Sequence, residues 1–349
     1  MTSAFLYTRY RFGIEEKKML ILTADEVQKA LPMKETIEAM KNAYASLSDG
    51  KADVPLRTRL SVPSQEAVSL IMPAYVQAAG GDALAVKVVS LFPKNPERPR
   101  GLALIQAAVL VLDAETGRAM ALLEGSSLTA IRTGAGSGAA IDLLARSDSQ
   151  VVAVFGAGAQ GRTQLEAACS VRKIEKAWVF DTSVERAEDF VQDMAGKGDI
   201  PKELRIATNS KRALSEADII CTATTSSTPV FDDADLKPGA HISAIGSYTP
   251  EMQEVPAETV ARALVVVDSR SATLAETGDL LQPIKAGLFG EEHIHAELGE
   301  IVLGRKEGRR SPEQITYYKS VGVAVQDAMA AQLALQNARK NRLGTDVKF

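Results

Sequence analysis

Val151-Val152-Ala153-Val154-Phe155-Gly156-Ala157-Gly158-Ala159-Gln160-Gly161 decides how the 349-residue chain is organised. Five apolar, mostly β-branched residues run into a G-x-G-x-x-G spacing, and helix-forming residues continue from Arg162 to Cys169. This is the pattern of strand, tight turn and helix. Glycine at Gly156 allows the sharp turn, at Gly158 the approach of a pyrophosphate to backbone, and at Gly161 close packing of helix on strand. The helix N-terminus then offers unbonded N–H groups and a positive dipole end to phosphate. By itself the spacing is weak evidence, since ordinary glycine-containing turns share it.

Its surroundings strengthen it. A second apolar run, Ala177-Trp178-Val179-Phe180, ends in Asp181, twenty residues past Gly161, where an acid binds a ribose 2′-hydroxyl. The alternative for Asp181 is a helix N-cap, because Thr182, Ser183 and Glu185 follow. An acid here repels a 2′-phosphate and favours NAD over NADP, with Arg186 as a partial compensation. Outward from this unit, strands are expected near 151–155, 177–181, 205–208, 218–222, 241–246 and 263–268, with helices between them. Such alternation predicts a parallel sheet with right-handed crossovers.

The half before it follows another pattern. Leu20-Ile21-Leu22 forms a strand, Thr23 to Glu26 opens a short helix up to Leu31, and a second helix runs from Met33 to Leu47 until Asp49-Gly50. Segments 57–62, 67–75, 84–91, 106–113 and 119–124 alternate as antiparallel strands do. Ser126 to Leu144, rich in Ala, Gly and Thr, is a close-packing helix leading into the nucleotide strand. Gly322 to Asn341 is a long alanine-rich helix in position to return to the first half. The expected fold class is therefore α/β, with a Rossmann-type domain over 145–319 and an α+β domain from 19–144 and 320–349. Residues 1–18, aromatic and charged without an apolar core, form an extension rather than a secretory signal.

Composition narrows the function. Hydrophobic content of 46% and charged content of 24% are ordinary for a globular protein, and a net charge of −4 gives no general attraction to nucleic acid or anionic membrane. Two cysteines, Cys169 and Cys221, lack zinc spacing and suit buried thiols in a reducing cytoplasm. His241 begins a strand, and His293 and His295 alternate beside Glu292 and Glu297, which is more simply a surface segment than a metal site. No Ser-His-Asp signature supports hydrolysis.

Three cations stand in unusual company: Arg57 after Pro55, Lys87 inside Leu84-Ala85-Val86-Lys87-Val88-Val89, and Arg132 before Thr133-Gly134. Alternation does not decide whether Lys87 faces solvent or core. If buried, it must pair with an anion or lose its proton. Two arginines and a lysine in one cleft would hold a substrate carboxylate.

At these positions the chain resembles the ornithine cyclodeaminase/mu-crystallin family, which includes archaeal-type alanine dehydrogenase and ketimine reductases. The matching stretches are Pro55-Leu56-Arg57-Thr58, Met72-Pro73-Ala74-Tyr75, Lys87 with Pro93-Lys94-Asn95-Pro96, and Arg132-Thr133-Gly134-Ala135. They continue in order through Gly156 to Gln160, His241 to Gly246, Val267-Asp268-Ser269 and Glu297-Leu298-Gly299-Glu300. The resemblance implies a substrate carboxylate held by Arg57, Lys87 and Arg132, with Lys87 assisting proton transfer at nitrogen. It implies cofactor contacts at Thr133, Gly156, Gly158, Ala159, Gln160, Asp181, Thr182 and Ser247, with NAD as cofactor and NADP as the alternative. It also implies a homodimer built through the non-Rossmann domain.

Two departures bear on substrate. Where the cyclodeaminases carry an aspartate, this chain has Tyr248, and where they place a glutamate two residues before Met-Pro, it has Leu70. Both changes remove negative charge where a second ammonium would sit, so ornithine becomes a poor substrate. Tyr248 is either a packing residue or a group whose hydroxyl shares in proton handling. The expected activity is NAD(P)-dependent reduction of a C=N bond next to a carboxylate, on a cyclic ketimine such as pyrroline-2-carboxylate or on the imine of a 2-oxo acid and ammonia. The alternatives are an NAD-dependent cyclodeaminase and a non-catalytic ligand binder.

Overall fold

The structure, a computed structural model, describes residues 18–78, 80–95, 98 and 101–349. The extension up to Phe12-Gly13 and beyond to Lys17, and Pro96 of the matched segment, lie outside the described residues. In chain order the first half runs β1 (Lys18–Leu22), α1 (Ala24–Ala30), α2 (Met33–Ser48), β2 (Ala52–Asp53), β3 (Thr58–Val62), β4 (Ala67–Val76), β5 (Ala83–Leu91), β6 (Ile105–Leu112), β7 (Ala119–Glu124) and α3 (Gly125–Leu144). It continues with β8 (Val151–Phe155), α4 (Ala159–Val171), β9 (Lys176–Phe180), α5 (Val184–Met194), β10 (Leu204–Ile206), α6 (Ser210–Leu214), β11 (Ile219–Thr222), β12 (His241–Ala244), α7 (Ala257–Arg262) and β13 (Leu264–Val267). The last elements are α8 (Arg270–Glu276), α9 (Gly278–Lys285), β14 (Ile294–Glu297), α10 (Leu298–Val302), β15 (Thr316–Lys319), α11 (Ala324–Asn341) and β16 (Thr345–Lys348).

The strands form two eight-stranded sheets. The second has the order β10-β9-β8-β11-β12-β15-β13-β14, and every pairing in it is parallel. Strand order reverses between β8 and β11, so the glycine turn after β8 opens at the crevice where such sheets bind ligands. The first sheet runs β16-β1-β7-β6-β5-β4-β2, with β3 also on β4. Its long strands pair antiparallel as expected, but β7 pairs β1 in parallel. Strands β14, β15 and β16 have no counterpart in the sequence reading, and Lys18, assigned there to the extension, opens β1.

Two helices tie the sheets together. Helix α3 leaves β7 and delivers the chain to β8; it starts where the Glu124 carboxylate accepts the N–H groups of Ser126 and Ser127. Its small residues allow α4 to lie close: a Cβ on Gly134 would sit 2.5 Å from the Thr163 carbonyl oxygen. Helix α11 returns from β15 and packs on β4 and β5. Along β5 the face turned to α11 is buried (Ala83, Ala85, Lys87, Val89), whereas Val88 on the other face is 43% exposed. Each large apolar side chain fully buried in this core contributes roughly 1.5–3 kcal/mol.

Candidate active site between the two sheets

The glycine turn is built for a phosphate. Gly156 has φ +100°, and a Cβ there would meet the Ala223 carbonyl oxygen at 2.5 Å. At Gly161 a Cβ would lie 2.0 Å from the Gly156 oxygen, which fixes helix against turn. At Gly158 a Cβ would meet nothing within 4 Å, so the space in front of α4 is open. Gly158 is the N-cap of α4 with no side chain capping the first turn, and the neighbouring Gln160 Oε1 is buried without a hydrogen-bond partner among the described residues. Open room and uncapped amides fit a dinucleotide pyrophosphate, while the orphaned Gln160 oxygen can accept only from a hydroxyl or amide donor.

Asp181 stands at the end of β9 and accepts from Ala157 N and Ser183 N, both at 2.8 Å. The cap of α5 is Ser183, whose Oγ accepts from Arg186 N, not Asp181. Arg186 Nε approaches Asp181 at 3.6 Å from a largely exposed side chain. Thr182 is exposed beside them. Thr133 on α3 turns its hydroxyl to Thr129 O at 2.7 Å, and Ser247 Oγ is tied to Met252 O at 2.7 Å and Thr277 Oγ1 at 2.8 Å. Tyr248, next along, is 38% exposed, and partial burial raises its phenol above the ordinary value.

The three cations meet. Lys87 on β5 lies opposite Met72 and Val109, with its face against α11. Its Nζ is 2.7 Å from Asp327 Oδ2, at ion-pair distance but without hydrogen-bond geometry. Asp327 Oδ1 accepts from Arg132 Nε at 2.9 Å, and Gln326 Oε1 accepts from Arg132 Nη1 at 3.0 Å and from Val323 N at 2.9 Å. Gln326 Nε2 donates in turn to Tyr44 Oη, which meets Tyr318 Oη at 2.8 Å. Arg57 completes the group through Nη2, bonded to Gly322 O at 3.0 Å and paired with Glu276 Oε2 at 3.1 Å.

Gly322 is the joint of this arrangement. At φ +81° a Cβ on it would press to 2.7 Å from Arg132 Nη1, so both the backbone turn and the close approach of Arg132 favour glycine. Its N–H donates to Asp268 Oδ2, which also accepts from Ser320 Oγ and Val321 N, while Ser269 N reaches Oδ1. Burial drives the Lys87 ammonium down to about 8; Arg132 and Arg57 add to the fall and Asp327 opposes it. Burial pushes Glu276 up, against the pull of Arg57.

A second buried cluster lies at the ends of β11, β12 and β15. The Glu254 carboxylate accepts from Thr222 Oγ1, Thr224 N, Thr224 Oγ1, Gly246 N and Ser247 N at 2.6–3.2 Å. Asp279 Oδ1 accepts from Glu254 N and Val255 N, and its Oδ2 from Lys319 Nζ at 3.1 Å and Tyr317 Oη at 3.3 Å. His241 is buried between Thr316 and Ser243 and held neutral by burial, first of all, and by nearby Arg309. His293 and His295 bond the backbone oxygens of Val260 and Glu307. Cys169 and Cys221 are free and buried, and burial pushes both thiols up to about 12. No helix among the described residues is long and apolar enough to cross a membrane.

Sequence reasoning does not reach Asp327, Gln326 or Glu276. The one signal available was an acid in the first turn of the alanine-rich helix, which reads as dipole compensation.

Comparison with known proteins points in one direction. The model of the ornithine cyclodeaminase/mu-crystallin family matches residues 17–342. A Delta(1)-pyrroline-2-carboxylate reductase of Bacillus cereus is 42% identical over 332 residues, 95% of this chain and 100% of that protein. The structure of Thermococcus litoralis Delta(1)-pyrroline-2-carboxylate reductase in complex with NADH and L-proline superposes with a TM-score of 0.89 at 42% identity, covering 94% of this chain and 100% of that one. An archaeal alanine dehydrogenase dimer with bound NAD gives 0.86 at 32% identity, covering 95% and 99%.

Proposed function

The chain belongs to the ornithine cyclodeaminase/mu-crystallin family, and from that premise we propose that it is an NAD(H)-dependent reductase of cyclic imino acids, with pyrroline-2-carboxylate as its leading substrate. The observation that carries this reading is the meeting of Arg57, Lys87 and Arg132 around Asp327 and Gly322. When bound, NADH supplies the hydride that reduces the imine carbon. The amides at Gly158, Ala159 and Gln160 hold its pyrophosphate, with Gly156 shaping the turn, while Asp181 and Thr182 take the ribose and disfavour a 2′-phosphate. Thr133 and Ser247 line the approach to the site.

Arg57 and Arg132 bind the substrate carboxylate, each keeping guanidinium donors beyond those already bonded. Lys87, whose ammonium lies off the hydrogen-bond direction to Asp327, donates its proton to the imine nitrogen. A depressed lysine is a better acid near neutrality than an ordinary one, and Asp327 keeps it charged enough to act. Tyr248 stays protonated and contributes a hydroxyl donor. Leu70, on the strand face shared with Met72 and opposite Val89, gives the pocket an apolar wall with no partner for a second ammonium.

Residues 19–144 and 320–349 act in this reading as the substrate-binding and dimerisation unit, and 145–319 as the dinucleotide unit. The homodimer forms through the outer face of the first sheet, where Leu60 and Val88 are 52% and 43% exposed. The setting is the cytoplasm, where Cys169 and Cys221 remain thiols.

The test follows absorbance at 340 nm with NADH or NADPH and pyrroline-2-carboxylate, piperideine-2-carboxylate, or pyruvate with ammonium. Oxidation of NADH is expected, fastest with pyrroline-2-carboxylate. No oxidation with any of the three, together with proline and ammonia formed from ornithine and NAD, would replace the reductase by a cyclodeaminase.

A further inference from the structure

Resting on that reductase reading, we propose that Glu276 restricts the site to substrates carrying a single carboxylate. Glu276 ends α8 and holds its carboxylate 3.1 Å from Arg57 Nη2, the same nitrogen that donates to Gly322 O. A guanidinium has five N–H donors in a planar fork, and with Nη2 shared between Gly322 O and Glu276, Arg57 has only Nε and Nη1 left, enough to contact one carboxylate and not a second. Arg132 has already given Nε to Asp327 and Nη1 to Gln326.

Glu276 is held firmly where it stands. Its neighbour Thr277 caps α9 and bonds Ser247 Oγ, which fixes the end of α8 to the loop carrying Tyr248. The charges gathered here come from five elements: Arg57 ahead of β3, Lys87 on β5, Arg132 on α3, Asp327 on α11 and Glu276 on α8. Asp268 stands behind them, with three donors on Oδ2 and one on Oδ1. With Asp268 counted, whose four donors are all neutral, three cations face three carboxylates, so a single substrate carboxylate already draws on shared donors and a second adds only further negative charge. A second carboxylate finds the apolar Leu70 and Met72 on one side and the like charge of Glu276 on the other. Selectivity therefore comes from repulsion of the wrong substrate as well as attraction of the right one.

An ion pair with only a structural role would behave differently. Its removal would loosen Arg57 and weaken both substrate classes alike. Glu276→Gln retains the shape and a hydrogen-bond acceptor for Arg57 while removing the charge. The experiment compares the wild-type protein and E276Q with NADH on pyrroline-2-carboxylate and on the imine formed from oxaloacetate and ammonium. Calorimetric binding of L-proline and L-aspartate to the protein with NADH is measured alongside.

For E276Q, kcat/KM on pyrroline-2-carboxylate is expected to fall about threefold through KM, and that on the dicarboxylate imine to rise at least about tenfold. The ratio of L-aspartate to L-proline affinity rises in parallel. An unchanged ratio in both measurements would overturn the proposal and leave Glu276 as a structural partner. If neither protein reduces pyrroline-2-carboxylate, the reductase reading fails while the affinity ratio still decides: a rise in E276Q supports the charge filter, and no rise, or no binding of either ligand, overturns it.

Discussion

Two buried lysine–aspartate pairs lie in this molecule, and they are finished differently. Lys319 and Asp279 are fully buried at the centre of the parallel sheet, with Tyr317 and two backbone amides completing the aspartate and Glu254 bonded to five further donors. Each of these contacts closes a loop between strand ends. Lys87 and Asp327 are as deeply buried, yet their contact lies outside hydrogen-bond geometry, and two arginines crowd the lysine. A saturated network rigidifies, while an unsaturated one is a place where a ligand can complete the bonding. Chemical identity of the pair is the same; the difference lies in the carboxylates, since both oxygens of Asp279 are hydrogen-bonded whereas Asp327 Oδ2 is not.

The widest separation between the two pairs comes from replacing each lysine by methionine. Lys87→Met is expected to lower kcat about 10³-fold with NADH binding retained, and to lower the urea midpoint less than the second replacement does, since Arg132 still neutralises Asp327. Lys319→Met leaves the buried Asp279 and Glu254 carboxylates without their cation and is expected to cost about 3–5 kcal/mol in urea unfolding. If K87M unfolds as easily as K319M, the comparison collapses.

A pH profile sharpens it. Because Lys87 titrates at about 8 in the folded chain and near the ordinary 10.5 when unfolded, the unfolded chain holds more protons between those values. Its contribution to stability is lowest below about 8 and rises with pH up to about 10.5. Imine reduction runs the other way, with kcat/KM falling above about 8 as the proton donor is lost. Asp327→Asn removes the group that opposes the depression, so the break should move to lower pH; a break that stays in place would assign it to another residue.

The smallest effect lies at the glycine turn. Gly158→Ala meets open space in the free protein, so its urea midpoint should hold, while its Kd for NADH in a fluorescence titration rises about tenfold as the methyl enters the phosphate's place. Equal affinity would mean that no phosphate approaches this backbone.

The parallel sheet was legible because Val151 to Gly161 and the runs after it carry local signals: β-branched strands, glycine turns and a terminal acid. Lys87 was visible as an anomaly, but which face it took was not, since a valine flanks it on each side and only the packing of α11 settles the choice. Strand β15 escaped because Thr316 to Lys319 follows a long polar segment and inserts between β12 and β13, a placement set by partners far away in sequence. Asp327 and Glu276 escaped for a related reason. An acid in a helix turn looks alike whether it faces water or a cation from another element.

The path from β15 through Gly322 into α11 has a consequence for synthesis on the ribosome. The first sheet gains α11 only after residue 324 emerges, and β1 finds its partner β16 only at Thr345–Lys348. Until then Lys87 and Arg132 have no Asp327, and the face of β4 and β5 that α11 covers is open. The nascent chain can therefore pair β8 to β12 of its parallel sheet early, but β15, which joins β13 and β14 to them, and the charged site, built from widely separated residues, both come among its last acts. A product truncated before α11 carries an unneutralised cationic patch beside exposed apolar strands, a species for quality control to remove rather than a partly active enzyme.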